Sequence, residues 1–234
     1  MGLSPAQRHT RRIEMESQLA RQEAITSATS LHMQLLALNE DIARLQSQPT
    51  IADRIELKRN EMLPRWMPTV QEYLDGGKVY RNPVFAWCVI WLFDVGDLEQ
   101  ALDWAEIAIS QEQPTPDNIK STFPAFVADT VLAWADEALS RGESVEPYFS
   151  RVFGHVTGVW RLHEEITAKW LKFAGLMLLR DERGEARATA HDDVELLEKA
   201  DALLAAAESR YKKVGVGTMR KTIAARVRSL SNQL

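Results

Sequence analysis

Ten apolar residues in a row begin at Val84, and this is the longest apolar stretch of the chain. Asn82 and Pro83 stand directly before it. This pair is typical of a helix start, because an Asn side chain accepts from unpaired N–H groups and Pro needs no donor in the first turn. The pattern therefore predicts a buried helix over residues 84–94.

A second, more amphipathic helix is predicted immediately downstream. Gly96 is suited to the left-handed conformation that ends a helix, and Asp97 can cap the next one. Apolar residues then recur at intervals of three and four as far as Ile109, which predicts an antiparallel helical hairpin. Gly96-Asp97, followed by Ala101-Leu102 and Ala108, resembles the turn and second helix of a tetratricopeptide repeat.

Upstream, apolar residues alternate by four and three, the heptad pattern of a helix that packs along a narrow seam. The positions of this seam are Ala24, Ala28, Leu31, Leu35, Leu38, Ile42 and Leu45. Pro49 breaks the helix, and Thr50 can cap a second one that carries Ile51, Ile55 and Met62. We predict a coiled-coil-like helical hairpin whose seam packs either against a second chain or against its own body.

Helical periodicity continues to the end of the chain, with interruptions rich in Pro or Gly. The segment from Leu63 to Pro68 is expected to form a bend or joint, because Pro disfavours a helical conformation at the residue before it. Further helices are predicted over 123–140, over 160–180 and over 218–230. One more is predicted to start at Ser144 or at Glu146-Pro147 and to end near Gly154 or Gly158, and another starts at Val194 and carries apolar positions as far as Ala207. No segment shows sustained two-residue alternation between hairpin turns.

The predicted fold class is therefore all-α, with a long N-terminal coiled-coil-like hairpin and a tetratricopeptide-like helical body. We divide the chain into three parts. These are an N-terminal helical arm over 1–65, for oligomerisation and DNA contact, an acidic repeat-like body over 66–209, and a basic C-terminal helix over 210–234.

Composition excludes several classes of protein. Apolar residues make up 45% of the chain, enough for a sizeable core, and no apolar run reaches the roughly 18 residues needed to span a bilayer. The single cysteine, Cys88, lies inside the apolar run, so neither a disulfide framework nor a cysteine-based zinc site is expected. We predict a cytoplasmic protein without membrane contact.

The net charge of -5 is distributed unevenly. Residues 66–209 carry 12 Lys and Arg against 25 Asp and Glu, whereas residues 210–234 carry seven basic residues and no acidic ones. An acidic body repels polyanions, so nucleic-acid contact is expected at the ends of the chain. The alternative is that the basic end is merely solvated or pairs with the acidic body.

Two groups of cations are the candidate DNA-binding residues, because Lys and Arg contact phosphates without reading bases. The first choice is Lys212, Lys213, Arg220, Lys221, Arg226 and Arg228. The second choice, at the start of the first helix, is Arg8, Arg11 and Arg12.

Sequence motifs for other kinds of chemistry are incomplete or absent. His163-Glu164-Glu165-Ile166-Thr167 lacks the second His of a zinc-protease helix, and Gly215-Val216-Gly217 lacks the third Gly and the strand of a dinucleotide fingerprint. No GxxxxGK[ST] or GxSxG motif is present. We predict no cofactor and no metal site, and we assign the seven tryptophans to the core.

Acidic residues cluster between Asp181 and Glu195, where His191-Asp192-Asp193 is the densest group. Clustered carboxylates are what a magnesium-dependent nuclease requires. The simpler interpretation, which we prefer, is a solvated loop that also caps a helix.

Several motifs together resemble the small terminase subunit of peduovirus-type temperate phages. They are Ser4-Pro5-Ala6-Gln7-Arg8-His9, Leu63-Pro64-x-Trp66-x-Pro68, Trp91-x-x-Asp94-x-Gly96-Asp97, Gly142-Glu143-Ser144-Val145, Leu178-Leu179-Arg180-Asp181 and Val214-Gly215-Val216. The segment from Glu185 to Asp193 is longer than in the family. The family tends to finish in a Lys/Pro-rich tail that this sequence does not show, so we expect DNA contact to rest on the closing helix.

The resemblance implies a protein that recognises viral cohesive-end DNA, forms a homo-oligomer and delivers double-stranded DNA to a separate large ATPase subunit in the host-cell cytoplasm. It also implies an association with endonucleolytic cutting, for which the residues themselves show no catalytic centre. Two other hypotheses remain open. One is a helical-repeat protein-interaction module without a nucleic-acid role, and the other is a metal-dependent endonuclease that uses the acidic loop.

Overall fold

A computed structural model describes the backbone of residues 5–232 and their side chains, except those of residues 5–8, 10, 20 and 22–29. Within this range the chain forms helices and no strands, which confirms the all-α fold class. Two compact units divide between Asp97 and Leu98. None of the described helices is both long and apolar enough to cross a membrane.

The first unit is a helical hairpin closed by two further helices. Its elements are α1 (Pro5–Gln46), α2 (Ile51–Leu57), a π-helical turn (Lys58–Met62), α3 (Leu63–Asp75) and α4 (Pro83–Val95). Thr50 caps α2 as predicted, since its hydroxyl accepts the Asp53 N–H at 3.0 Å. Asp41 on α1 is buried and accepts the Trp66 indole N–H at 2.8 Å, which ties α1 to α3.

The predicted joint at Leu63–Pro68 is wrong, because this segment is the start of α3. Pro64 lies in the first turn, where its missing N–H is not needed. The preceding π-helical turn continues the helical path from α2, and Pro68 removes only one backbone bond within α3. The chain is therefore helical from Ile51 to Asp75.

The apolar run forms α4 and lies in the core of the first unit. The Asn82 side chain accepts the Phe85 N–H at 3.1 Å, and Gly96 ends the helix at φ 80°, both as predicted. Cys88 is fully buried, and burial raises the pKa of its thiol. The helix is therefore structural. The coiled-coil and tetratricopeptide-like details of the fold stay predictions.

The second unit contains six helices. They are α5 (Leu98–Ser110), α6 (Phe123–Ser140), α7 (Tyr148–Gly154), α8 (Glu164–Leu178), α9 (Val194–Arg210) and α10 (Gly217–Ser231). A second π-helical turn, His155–Val159, follows α7. α8 packs along α9 and α10 packs against α9, so the last three helices share a core.

The tryptophans belong to the core, as predicted. Trp66, Trp91, Trp104 and Trp170 are buried, and the other three are half-buried. The Trp170 indole donates to the Ala128 carbonyl at 3.1 Å, which links α8 to α6 inside the second unit. None of the seven presents an exposed ring on which a nucleic-acid base could stack.

Candidate nucleic-acid interface

The basic C-terminal segment is held on a rigid helical support. Ile223 of α10 shares one hydrophobic core with Leu197, Ala200, Leu204 and Ala207 of α9. The turn before α10 depends on Gly215, which has φ 75°. Lys172 of α8 fixes the same turn, since its ammonium donates to the Val214 carbonyl at 2.8 Å. The orientation of α10 on α9 is therefore set by packing and by specific hydrogen bonds.

Arg220 does not face solvent as an independent cation. Its Nε lies 2.9 Å from Asp201 Oδ1, and its Nη1 lies 2.7 Å from Glu208 Oε2. Both carboxylates belong to α9. Hydrogen bonds to Asp201 and then Glu208 raise the pKa of the Arg220 guanidinium above its already high value, so this charge is permanent. Arg220 therefore anchors α10 to α9.

Arg226 is also engaged within the chain. Its Nε donates to the His191 carbonyl at 3.0 Å, and its other guanidinium nitrogen pairs with Asp192. These contacts attach α10 to the loop that precedes α9. Two of the six predicted tail cations thus pair with the acidic body, which is the alternative that the charge pattern left open.

Lys221 and Arg228 lie on the outer side of α10. They are seven residues apart and so differ by only about 20° around the helix. Ile223 and Val227, which face the core, lie on the opposite side. Both cations are exposed, and neither is in an ion pair with any described residue. Arg228 makes only a local bond from its Nε to the Ala224 carbonyl at 3.2 Å.

Lys212 and Lys213 lie in the turn between α9 and α10 and are exposed without an ion pair in the described range. We call Lys212, Lys213, Lys221 and Arg228 the outer cations. They come from one short stretch that contains no acidic residue. The structure therefore retains four of the six tail residues as exposed candidates.

The second group of candidate cations lies on α1 in the first unit. Arg11 and Arg12 are exposed, and Arg12 pairs with Glu16 one turn later at 2.9 Å. The Arg8 side chain lies outside the described residues. Nothing in the first unit distinguishes these arginines as a binding surface, so their role stays a prediction.

The acidic loop is organised by hydrogen bonds of its own. The Asp181 carboxylate accepts the N–H groups of Arg183 and Glu185 at 2.9 and 3.0 Å, and these bonds lower the pKa of Asp181. Asp193 caps α9 by accepting the Leu196 N–H at 3.2 Å. Across the described residues, no group of three or more His, Cys, Asp or Glu side chains is placed to hold a metal ion. The capping role that we preferred is confirmed for Asp193.

Sequence reasoning missed the carboxylates that pair with the tail. Asp201 and Glu208 are seven residues apart and therefore lie on one face of α9. That spacing was visible in the sequence. The contact with α10 was not, because it depends on how the two helices cross.

A comparison with known protein families gives one decisive match. The family model of the phage small terminase subunit matches residues 35–165, more than half of the chain. The chain belongs to this family. Family membership implies a role in phage DNA packaging, with DNA and the large terminase subunit as partners.

Two relatives of this small terminase subunit extend the match. The "Probable terminase, endonuclease subunit" of Haemophilus phage HP1 is 38% identical over 99% of this chain and 84% of its own length. The "Terminase, endonuclease subunit" of Escherichia phage P2 is 30% identical over 80% of this chain and 76% of its own length. No solved structure matches the chain.

The family model ends at residue 165, so the outer cations lie beyond it. The HP1 relative, in contrast, covers nearly the whole chain. The family match therefore identifies the protein through residues 35–165, which run from the C-terminal part of α1 to the first two residues of α8, while the candidate interface rests on the geometry of α9 and α10.

Proposed function

We propose that this small terminase subunit binds double-stranded viral DNA at its cohesive-end site through the outer cations. The observation that carries the proposal is the division of charge on α10. Arg220 and Arg226 pair with carboxylates of the same unit, while Lys221 and Arg228 lie on the exposed side, opposite Ile223 and Val227. A helix that presents cations on one side only can approach a phosphate backbone without separating from its own core.

The acidic body supports the same location. Residues 66–209 carry 25 acidic residues against 12 basic ones, so most of the surface repels DNA. Attraction is therefore confined to the few places where basic residues have no acidic neighbour. The outer cations are in no ion pair with a described carboxylate, and we take them as such a place.

We further propose that several copies act together and deliver the bound DNA to the large ATPase subunit in the host-cell cytoplasm. This step rests on family membership. Both named relatives are endonuclease subunits by name, so the same complex is also expected to direct cutting at the cohesive-end site. On this proposal the small subunit contributes DNA placement.

A binding titration with a labelled cohesive-end duplex tests the DNA contact. The test variant is Lys221→Gln with Arg228→Gln. The matched control is Lys78→Gln with Lys120→Gln, which removes two exposed positive charges elsewhere in the chain. We expect weaker binding only for the test variant. Because each lost phosphate contact lowers the slope of log affinity against log salt by about 0.9, that slope should fall by roughly two.

Two results would contradict the proposal. Equal affinity and equal salt dependence for the wild type and the test variant would remove α10 from the interface. A wild-type protein that binds no duplex at low salt would instead favour the helical-repeat interaction module. A random duplex of equal length, titrated in parallel, separates recognition of the cohesive-end sequence from general phosphate binding.

A further inference from the structure

A cavity of about 400 Å³ lies in the second unit, where α8, α10 and the loop before α9 meet. This volume is within the range of roughly 300–1,000 Å³ that small-molecule sites occupy. Leu176 and Met219 contribute an apolar wall, and Thr218 and Thr222 bring hydroxyl groups from α10. Among the described residues that line the cavity there is no Asp or Glu. Because carboxylates outnumber cations over residues 66–209, a cavity without them is suited to an anion.

Lys172 of α8 brings a positive charge to this cavity. Its side chain is half-buried, and its ammonium group donates to the Val214 carbonyl at 2.8 Å. An ammonium group has three N–H donors, and no other described residue accepts from Lys172. Arg187 also lines the cavity, but its Nε lies 3.1 Å from Glu185 Oε2. Lys172 is therefore the lining cation whose charge is not shared with a described carboxylate.

The turn at Gly215 lies beside this ammonium group. A Cβ at Gly215 would be 3.9 Å from the Lys172 nitrogen. Gly215 has φ 75° and ψ 52°, and Val216 follows at φ -111° and ψ -5°. Successive residues of opposite backbone hand direct their N–H groups to one concave side, an arrangement that binds anions in many phosphate sites. The sequence Gly215-Val216-Gly217, incomplete as a dinucleotide fingerprint, thus borders a cavity with the chemistry of an anion site.

We propose that this cavity binds the phosphate group of a nucleotide, with Lys172 as its charge partner and the turn at Gly215 as its backbone cradle. A terminal phosphate carries about -1.5 to -2 charges at pH 7, which a cavity with a free ammonium group and no carboxylate favours. Leu176 and the polarizable Met219 offer an apolar surface to the flat face of the base. The choice of a nucleotide over another phosphate ester rests on the proposed function, which brings DNA to this unit.

Two sources supply the same chemistry, a free nucleoside monophosphate and the 5′-phosphorylated end of a DNA strand. The cavity lies near the proposed DNA surface. Lys221 follows Thr218 by three residues and lies about 60° from it around α10. A strand end held near the outer cations is therefore within reach of the cavity, and the experiment has an arm for each source.

Calorimetric titration of the full-length protein with deoxyadenosine 5′-monophosphate tests the cavity, and deoxyadenosine is titrated in parallel. We expect the nucleoside to bind at least about tenfold more weakly, because hydrogen bonds to charged groups contribute about a factor of ten or more in affinity. Lys172→Met should weaken binding of the monophosphate to a similar degree. Lys169→Met, at an exposed position of the same helix, is the matched control and should bind like the wild type.

Thr218→Glu tests the cavity without removing a contact that supports the fold. Thr218 is exposed and lines the cavity, so a carboxylate there repels a phosphate. An acidic residue in the first turn of a helix also favours that helix, so the unfolding midpoint should not fall. We expect no detectable binding of the monophosphate. Ala206→Glu, exposed on α9 and outside the cavity lining, adds the same charge and should leave binding unchanged.

Two duplexes that differ only in a 5′-phosphate or a 5′-hydroxyl on an overhanging strand separate the two sources. Tighter binding of the phosphorylated duplex by the wild type, but not by Thr218→Glu, assigns the cavity to a DNA end. Equal binding of both duplexes, together with binding of the monophosphate, assigns it to a free nucleotide.

Three results would overturn the inference. They are no binding of the monophosphate together with equal binding of the two duplexes, equal binding of deoxyadenosine and its monophosphate, and monophosphate binding that survives both Lys172→Met and Thr218→Glu. The test of the outer cations is separable, because neither Lys221 nor Arg228 lines the cavity. Duplex binding unchanged by Lys221→Gln with Arg228→Gln would remove the outer cations and leave the nucleotide site standing.

Discussion

Arg220 binds Asp201 through two parallel hydrogen bonds, from Nε to Oδ1 at 2.9 Å and from Nη2 to Oδ2 at 3.2 Å. This two-point geometry fixes the guanidinium plane and with it the rotation of α10 on α9. Lys221, the next residue, is directed to solvent. Neighbouring cations of the basic tail therefore have different roles, one structural and one available to a ligand.

The first prediction compares these two neighbours. Arg220→Gln should lower the free energy of unfolding by about 1 kcal/mol, since a partly exposed ion pair contributes modestly and Asp201 and Glu208 lose their partner. Lys221→Gln should change the free energy of unfolding by less than about 0.5 kcal/mol. Urea denaturation followed by circular dichroism measures both. Equal stabilities for the two variants would contradict the structural role of Arg220.

The second prediction uses one substitution in two places. A Cβ at Gly175 of α8 would lie 2.9 Å from a Leu204 methyl carbon and 3.1 Å from the Ala200 carbonyl oxygen, so Gly175→Ala forces α8 away from α9. We expect a loss of about 1–3 kcal/mol.

Gly154 provides the opposite case, because it is helical, exposed and has nothing within 4 Å of an added Cβ. Gly154→Ala should raise stability by roughly 0.5–1 kcal/mol, since Ala reduces the entropy of the unfolded chain. Thermal unfolding of both variants checks the pair. A stabilised Gly175→Ala would show that α8 and α9 are less closely packed than described.

The helices of this protein were largely predictable, because helix periodicity and capping residues are local signals. Thr50, Asn82 and Gly96 each do what their residue type suggests. Pro64 shows where such reasoning fails. Proline is compatible with either a helix break or the first turn of a helix. Which of the two forms depends on a tertiary contact, the hydrogen bond from the Trp66 indole on α3 to Asp41 on α1.

The candidate site was predictable only as a segment. Counting charges identified residues 210–234, but it gave Arg220 and Lys221 equal weight. Their separation depends on the position of α9 carboxylates 12 to 19 residues upstream. In the same way, the heptad count identified a seam on α1, but it did not show that Leu38 and Leu45 of that seam would be buried in the first unit.

The third prediction concerns pH. Burial raises the pKa of Glu106, but the hydrogen bond and charge of Arg151, together with His155, lower it below its ordinary value overall. Glu106 Oε1 lies 2.7 Å from Arg151 Nε and 3.0 Å from His155 Nε2. A carboxylate with a lowered pKa stabilises the fold above its unfolded pKa of about 4.3, and this contribution disappears as pH falls through the folded value.

Glu106→Gln should therefore cost about 1 kcal/mol at pH 7 and should show a smaller loss of stability than the wild type below about pH 4. Asp129→Asn, on the exposed side of α6, is the control and should follow the wild type. Urea midpoints measured from pH 7 to pH 3 test the difference. Parallel curves for wild type and Glu106→Gln would contradict the role of this carboxylate.

The last prediction concerns the acidic loop and DNA cutting. Asp193 caps α9 and Asp192 pairs with Arg226, so both carboxylates already have structural partners. Asp192→Asn with Asp193→Ser removes both charges and keeps an oxygen at each position, since Ser caps helices about as well as Asp. We expect cutting of a cohesive-end plasmid by this variant together with the large subunit to match the wild type. A normal unfolding midpoint and normal duplex binding combined with abolished cutting would instead make the loop a nuclease centre, because folding and DNA placement would then be intact and only the carboxylate chemistry lost.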